Sequence, residues 1–426
     1  MLVNAHLPRV VTSVWFLLDV VVPLVVATWV LLDVKYLQLW SQRKIRLKLA
    51  GKWDELDAHF QRRLKTRRPL AYFFQNYIVP GNVEASYALY LYERGLSEAA
   101  LEMADLSIAR ARKQPALLTI TFGPPAQKTL HSALHTRVLI LNGLGRYDDA
   151  RATSAELRTL AKVSNKTHAT ASFTELYSGR LDEALELAYE TLSHDPKDGS
   201  ARLIASAVYC LKGAFTEAIN VLVHELKDVT ELYSPKDLSD MLKDRESAKF
   251  IALQRQYAAT IHQPVRLLSI ARVYIEQQNF DDATRALDAT EPLLGNNPII
   301  RCSYNRSRAI CAAAKGDAKQ TEQYLAEART ITLSQPKRDT RWETNIAAGR
   351  CYLSLQLIDK ARAEFLEAQR RALHPIEKHV TNYWLACTAV TAKRRNKAIR
   401  YYQTVVADGI PTVMRQESLA ALVDLK

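Results

Sequence analysis

A short phrase recurs in the middle of the chain at a fixed interval of 34 residues. The stretches LGRYDDA, SGRLDEA and KGAFTEA carry Gly145, Gly179 and Gly213. In each stretch a large residue follows the glycine after two positions and an alanine follows it after five. A constant interval of this size predicts one supersecondary unit per repeat, with each unit stacked on its neighbours instead of folded around one central core.

Each of these positions has a physical role in a helix hairpin. Glycine adopts the left-handed backbone that ends a first helix, because it has no Cβ to clash. Alanine suits the point where two antiparallel helices cross, because a small side chain lets their backbones approach. Asp148, Asp182 and Thr216 are expected to cap the second helices, since a short side-chain oxygen accepts hydrogen bonds from free backbone N–H groups.

The pattern resembles the tetratricopeptide repeat (TPR), a helix hairpin of 34 residues. In the frame that begins at His131, Leu134, Leu141, Gly145, Tyr147 and Ala150 occupy the repeat's characteristic places. Looser copies follow downstream, an upstream copy contains Leu96 and Ala99, and a degenerate first copy contains Trp40 and Trp53. The resemblance implies an all-α fold: a TPR-like α-solenoid, in which helix hairpins form a right-handed superhelix with a concave groove.

The chain is expected to divide into six parts. They are an N-terminal tail (1–9), a transmembrane helix (10–34), a basic juxtamembrane segment with a degenerate first repeat (35–70), an N-terminal TPR array (71–225), a degenerate helix pair (226–262) and a C-terminal TPR array with its cap (263–426).

The run at 10–34 is long and apolar enough to span a bilayer as one helix. A cleaved signal peptide is the alternative, but no small-x-small cleavage site precedes the basic stretch that follows. Positive residues remain on the cytoplasmic side of a membrane, so the large C-terminal part is expected in the cytoplasm. Asp19 lies within the span, where an ionisable group usually faces protein or water; it is protonated, it pairs with a partner helix, or it is a tolerated exception.

The segment after the span is strongly basic. Residues 35–68 contain 11 Lys/Arg and 3 Asp/Glu, which gives a net +8 of the chain's formal +13. The residues expected to contact anionic lipid headgroups are Arg43, Lys44, Arg46, Lys48 and Lys52. The alternative is a flank that only orients the span. Because the excess charge lies beside the membrane, we expect no nucleic-acid partner.

In the TPR family, positions 2, 5, 9, 12 and 13 of the first helix usually face the groove. Carried onto this chain, the resemblance makes Leu268, Arg272, Arg306, Arg350 and Tyr383 candidate partner-binding residues. The three arginines would form a basic ladder that binds an acidic or C-terminal peptide through guanidinium–carboxylate contacts. The alternative is that they are simply solvated. The Lys/Asn clamp with which some TPR proteins hold chaperone tails is absent from the corresponding positions.

Motifs for catalysis are absent from the sequence: there is no phosphate-binding loop, no HExxH, no GxSxG and no glycine-rich dinucleotide loop. Five cysteines without CxxC spacing argue against a disulfide framework and a zinc site. His131 and His135 lie four residues apart, but the sequence offers no third metal ligand beside them. We therefore expect no enzymatic activity, no cofactor and no small-molecule substrate.

These features predict a membrane-anchored TPR scaffold or adaptor. It would bind partner proteins or peptides through its superhelical groove and organise them at the cytoplasmic face of a membrane, with a bacterial inner membrane as the expected setting. Two alternatives remain open: an architectural subunit of a multi-subunit membrane complex, and a receptor on an organelle outer membrane.

Overall fold

The computed structural model describes residues 52–65, 81–113, 125–160, 167–196, 198–223, 264–295, 297–334 and 339–425, and seven positions between 39 and 47. Every regular element in these residues is helical. The predicted transmembrane helix with Asp19, the predicted degenerate pair at 226–262 and Lys48 lie outside the described residues. Within the described part of the chain, no helix is both long and apolar enough to cross a bilayer.

In the residues that the structure describes, eighteen α-helices follow the helical positions at 39–47, and a short 3₁₀ helix (Glu291–Leu293) follows the eleventh of them. They are α1 (Trp53–Leu64), α2 (Asn82–Glu93), α3 (Ser97–Arg112), α4 (Pro125–Gly143), α5 (Tyr147–Thr159), α6 (Thr167–Ser178), α7 (Leu181–His194), α8 (Gly199–Lys212), α9 (Phe215–Val223), α10 (264–276), α11 (Phe280–Thr290), α12 (Pro298–Ala314), α13 (Ala318–Ser334), α14 (Asp339–Ser354), α15 (Ile358–Arg371), α16 (Pro375–Thr391), α17 (Arg395–Ala407) and α18 (Val413–Asp424).

The helices from α2 to α17 form consecutive antiparallel hairpins, and α18 packs against α17 at the end of the stack. Within each hairpin the two helices contact one another, and within each array the second helix or the next first helix carries the packing to the following hairpin. This is the all-α, TPR-like solenoid that the repeat pattern predicts. We call α2–α9 the N-terminal array and α10–α18 the C-terminal array.

The glycines of the three regular repeats end α4, α6 and α8 in the left-handed conformation. Gly145, Gly179 and Gly213 have φ angles of 72°, 85° and 78°. The alanines five positions later, Ala150, Ala184 and Ala218, are fully buried. This burial confirms that small residues lie where the paired helices cross.

Two details of the repeat differ from the expectation. Ala100, not Ala99, is the fully buried crossing residue of the α2–α3 hairpin, because Gly95 (φ 76°) sets the repeat frame one residue later. Leu96 consequently lies outside the core, with 53% of its surface exposed.

The expected helix caps at Asp148 and Asp182 are also wrong. Helix α5 begins one residue earlier, at Tyr147, without a side-chain cap, and Asp148 instead pairs with Arg151 at 2.8 Å. Asp182 is likewise the second residue of its helix and pairs with Lys212. An aspartate inside the first turn is past the position from which a side chain caps the helix. Caps do form at α8, α11, α12 and α18, from Asp198, Asn279, Asn297 and Thr412.

The degenerate first copy of the repeat packs as an aromatic cluster. Trp40 stacks on His59 of α1 with ring centroids 5.3 Å apart, and it meets Phe60 edge-on at 5.7 Å. Phe60 in turn contacts Tyr87 and Tyr90 of α2. These rings join the helical positions at 39–47 to the N-terminal array.

Three later repeats lack the glycine and place another residue in the left-handed conformation. Gln278, Gln356 and Lys393 have φ angles of 59°, 59° and 55°. These values were not expected from the sequence. A residue with a Cβ is strained there, and glycine is not.

We expect Gln278→Gly to raise the free energy of unfolding by about 0.5–1 kcal/mol, because it relieves this strain by more than the entropy that glycine adds to the unfolded chain. The neighbouring change Gln277→Gly is the matched control, since Gln277 is not among the residues with positive φ. It should not stabilise the protein. Urea denaturation of both variants measures the difference; equal effects would contradict the argument.

Candidate inner binding site

The solenoid curls until its two arrays touch. The hydroxyl of Tyr147, the first residue of α5, forms a hydrogen bond with Nδ1 of His374, the residue before α16. The ring of Tyr177 lies 4.5 Å from the His374 ring, centroid to centroid. Helix α6 also packs on α16, and α8 packs on α18. The first helices of both arrays therefore face a shared interior.

Five charged residues of the C-terminal array face this interior and form what we call the inner network. They are Arg272, Glu276, Arg306, Glu343 and Arg350. Arg306 donates to Glu343 and to the Ser303 hydroxyl, the latter at 3.1 Å. Three guanidinium groups and two carboxylates give the network a net charge of +1 (+3 − 2).

Arg350 is held on two sides. Its Nη1 donates to Glu276 Oε1 at 2.6 Å, which joins α14 to α10 across 74 residues of sequence. Its guanidinium lies over the ring of Trp384, 4.8 Å from the centroid. A guanidinium over an indole ring with a carboxylate beside it is strongly fixed.

Arg272 differs from the other two arginines. Protein groups surround the Arg272 side chain, but part of its surface is exposed to water. It makes no hydrogen bond or close ion pair with the described residues. The surrounding protein acts to lower the pKa of Arg272, but the carboxylates of Glu343 and Glu276 outweigh this effect and raise it. Arg272 is therefore charged, oriented by carboxylates and reached by water.

The pKa of Glu343 reflects the same interactions. Burial among protein groups acts to raise it, although about a third of the side chain (35%) remains open to water. The guanidinium groups of Arg306 and Arg272 outweigh burial and hold the pKa of Glu343 below its ordinary value. Glu343 consequently remains a carboxylate at neutral pH.

The N-terminal array forms the opposite wall. Tyr177 of α6 and Cys210 of α8 both interact electrostatically with Arg272. Burial, with Glu276 adding to it, raises the pKa of the Cys210 thiol to about 12. Cys210 is therefore a mostly neutral, half-buried thiol whose thiolate fraction is small at physiological pH, so it reacts slowly.

The remaining candidate residues lie elsewhere. Leu268 is a core residue, 7% exposed, and packs against Ala271 and Leu287 because its side of α10 faces α11. Tyr383 is half-buried on α16; its hydroxyl donates to Glu417 of α18.

Among the residues expected at the membrane surface, Arg43, Arg46 and Lys52 are exposed. Lys44 lies 5.3 Å from the Trp40 ring centroid. Their contact with lipid stays a prediction.

Sequence reasoning found the arginines and missed their carboxylates. Glu276 lies four residues after Arg272 on the same helix, at position 13 of the repeat if Arg272 is at position 9. Glu343 lies three residues before Ile346, at position 2 of its repeat. Positions 2 and 13 belong to the same set of groove-facing positions that identified the arginines. If acidic residues at those positions had been considered as well, the sequence would have predicted the whole inner network.

His379, Asp408 and Thr412 form a hydrogen-bonded group of residue types that also occur in catalytic sites. His379 is fully buried; its Nδ1 lies 2.7 Å from Asp408 Oδ2 and its Nε2 lies 2.6 Å from Thr412 Oγ1. A carboxylate only accepts, so Nδ1–H donates to Asp408, and Nε2 is hydrogen-bonded to the Thr412 hydroxyl. Thr412 is 1% exposed and also accepts from the backbone N–H of Arg415 to cap α18. The group therefore fixes the loop at 408–412 and offers no access to a substrate.

No protein-family model and no curated protein matches the sequence. Similar solved structures include a chain of the APC/C hetero-tetramer Cut9–Hcn1 (11% identity, 89% of this chain and 75% of that chain, TM-score 0.44). A tetratricopeptide repeat protein from Parabacteroides merdae (14%, 81% and 98%, 0.36) and yeast Tom70 (12%, 92% and 96%, 0.36) are similar too. At these values the fold assignment rests on the chain's own helix hairpins.

Proposed function

We propose that this protein is a scaffold whose TPR-like solenoid binds a carboxylate-bearing segment of a partner protein at Arg272. The observation that supports the proposal is the position of that side chain. It is a charged guanidinium on the inner surface that is open to water and makes no hydrogen bond with the described residues, while Arg306 and Arg350 are paired with Glu343 and Glu276.

The paired arginines narrow the chemistry of the ligand. A ladder of three unpaired arginines would suit a run of acidic residues. With two of them neutralised from within, the network's net +1 suits one carboxylate, such as a single Asp or Glu side chain or a chain terminus. The Tyr177 ring and the Cys210 thiol, both half-buried, form the opposite wall and suit an adjacent apolar group.

We further propose that the solenoid works beside a membrane, with its C-terminal part in the cytoplasm and a bacterial inner membrane as the setting. The apolar run at 10–34 and the basic residues after it support this placement. An architectural subunit of a membrane complex is the alternative. It predicts salt-resistant co-purification with membrane subunits that does not depend on Arg272.

Binding of a labelled acidic peptide with a free carboxyl terminus tests the proposal. A hydrogen bond to a charged group contributes about 1.5–3 kcal/mol, so Arg272→Gln should weaken binding by roughly tenfold to a hundredfold. The matched control is Arg285→Gln on the outer face of α11, where the side chain is 76% exposed. It should leave the affinity unchanged.

A control peptide in which neutral carboxamides replace the carboxylates distinguishes recognition of charge from nonspecific binding. It should bind weakly to the wild type and be insensitive to Arg272→Gln. Equal binding of both peptides, or equal effects of Arg272→Gln and Arg285→Gln, would rule out Arg272 as the recognition site. Crosslinked pull-down from intact membranes with the same two variants then identifies the natural partner.

A further inference from the structure

We propose that the C-terminal end of the solenoid, residues 374–424, is a latch that docks on the turns of three consecutive repeats and closes the inner surface around Arg272. Its release opens that surface to a partner. The inference rests on the proposed function only in naming Arg272 as the site that is closed; the docking itself is a property of the fold.

Docking occurs at the turns of the three regular repeats. Tyr147 contacts His374 at the first turn. At the second, a Cβ added to Gly179 would lie 2.8 Å from Cδ1 of Ile410, and at the third, one added to Gly213 would lie 3.3 Å from Cβ of Val413. The latch therefore lies across successive repeats of the N-terminal array.

The glycines show that this fit is specific. Gly145 and Gly316 have the same left-handed backbone, yet a Cβ on either would meet nothing within 4 Å. At Gly179 and Gly213 the absence of a side chain has two effects. It permits the left-handed turn, and it leaves the space that Ile410 and Val413 occupy. Ile410 is 5% exposed and belongs to the core of α6–α8.

Hydrogen bonds inside the latch hold its parts together, so it can undock as a unit. His379 holds Asp408 and Thr412, and Asp408 Oδ1 accepts from the backbone N–H of Ile410 at 3.1 Å. These bonds lie inside the latch and do not involve the N-terminal array. They present Ile410 in a fixed position, which lowers the entropy lost on docking.

The latch also keeps a permanent attachment to the solenoid. Trp384 of α16 stacks on Phe365 of α15 with centroids 6.1 Å apart, and Trp342 of α14 donates to Thr381 at 3.0 Å. Release from the turns therefore leaves α16–α18 stacked on α14 and α15.

A native thiol reports on closure. Cys210 lies on α8, one of the helices that the latch covers, and interacts with Arg272 and Arg350 of the inner network. It is half-buried, as is Cys387 inside the latch, whereas Cys302, Cys311 and Cys351 are buried. A bulky polyethylene-glycol maleimide should reach Cys210 slowly while the latch is docked, and small iodoacetamide should be less hindered.

The experiment compares Ile410→Glu with Leu419→Glu in the full-length protein. Ile410→Glu places a charge in the apolar docking site, whereas Leu419 is 44% exposed on α18 of the same latch. Peptide mapping should show bulky labelling of Cys210 accelerated by about tenfold or more in Ile410→Glu, which corresponds to a tenfold or larger shift of the docking equilibrium. Leu419→Glu should leave it within about twofold. Labelling of Cys387, normalised to iodoacetamide, should not change in either variant.

Unchanged labelling of Cys210 in a folded Ile410→Glu protein would overturn the proposal. If that variant does not fold, the wild type decides: in rising, sub-denaturing urea, Cys210 should become accessible to the bulky reagent before the amides of α6–α9 lose protection from hydrogen exchange. Simultaneous loss would also overturn it. No partner is present in either measurement, so failure of the latch and failure of carboxylate binding at Arg272 are separate results.

Discussion

Replacing Phe365 by alanine is expected to lower the free energy of unfolding by about 3–5 kcal/mol. Phe365 is fully buried, stacks on Trp384 and lies at the centre of the core that joins α14, α15 and α16. A cavity left there removes contacts from three helices at once. Because each hairpin contacts mainly its neighbours, the loss should be largest in the C-terminal array. Urea denaturation followed by tryptophan fluorescence measures it, since Trp342 and Trp384 lie in this core.

Gly349 provides a sharper test of the same packing. A Cβ on Gly349 would lie 2.5 Å from Cε1 of Phe365, so Gly349→Ala should destabilise the wild type by about 1–3 kcal/mol, although alanine favours a helix over glycine by about 1 kcal/mol. In the Phe365→Ala protein the clash is gone, and the same change should become stabilising. A double-mutant cycle measures the reversal of sign.

Gly143→Ala serves as the comparison for this cycle. Its Cβ would meet the outer part of the Tyr92 ring, which is half-buried and lies far from Phe365 in the sequence. We expect a small effect that does not depend on Phe365. If Gly349→Ala changed the free energy of unfolding in the same direction in the wild type and in Phe365→Ala, the close approach of α14 and α15 would not be the reason for glycine at this position.

Acidification from pH 7.5 to pH 5 is expected to lower the free energy of unfolding by about 1–2 kcal/mol through His374 alone. Burial, with a smaller contribution from Lys378, lowers the pKa of His374 to about 4. The unfolded chain, with an ordinary histidine pKa of about 6.5, therefore binds a proton between these values that the folded chain does not. Stability is complete above about pH 6.5 and falls as the pH decreases toward 4.

The groups around His374 set the size of this effect. Nδ1 can accept from the Tyr147 hydroxyl only while the ring is neutral, and the Tyr177 ring packs beside the imidazole, so both contacts suit a neutral ring. The Glu377 carboxylate, 3.9 Å from Nε2, favours protonation, but it already accepts from the backbone N–H groups of Leu373 and His374. For this reason we expect a smaller loss of stability on acidification than the full shift in the pKa of His374 would give.

His374→Asn is the control for the pH dependence, because asparagine still accepts a hydrogen bond and starts a helix but does not titrate in this range. Other groups contribute equally to both proteins. The wild type should therefore lose about 1–2 kcal/mol more than His374→Asn between pH 7.5 and pH 5 in urea denaturation. Parallel pH profiles would exclude His374 as the cause. Because His374 lies at the docking interface, the same protonation should weaken the latch.

The candidate site was only partly predictable from the sequence. Repeat positions placed Arg272, Arg306 and Arg350 on the first helices, and the structure brings them into one network. Which arginine keeps access to water depends on where Glu276 and Glu343 lie in space. Distances between neighbouring helices decide that, and a repeat frame describes only the positions within one hairpin.

Local features of the fold follow from residue type and spacing alone. A glycine at Gly145, Gly179 and Gly213 ends a helix wherever it stands, and an alanine five positions later permits a close crossing, because both effects act within one hairpin. The sequence by itself thus determined the helix hairpins, their order and their stacking. Only the tertiary structure decided that the turns at Tyr147, Gly179 and Gly213 receive His374, Ile410 and Val413. Those contacts join residues about two hundred positions apart, and they depend on the small rotations that accumulate from one repeat to the next.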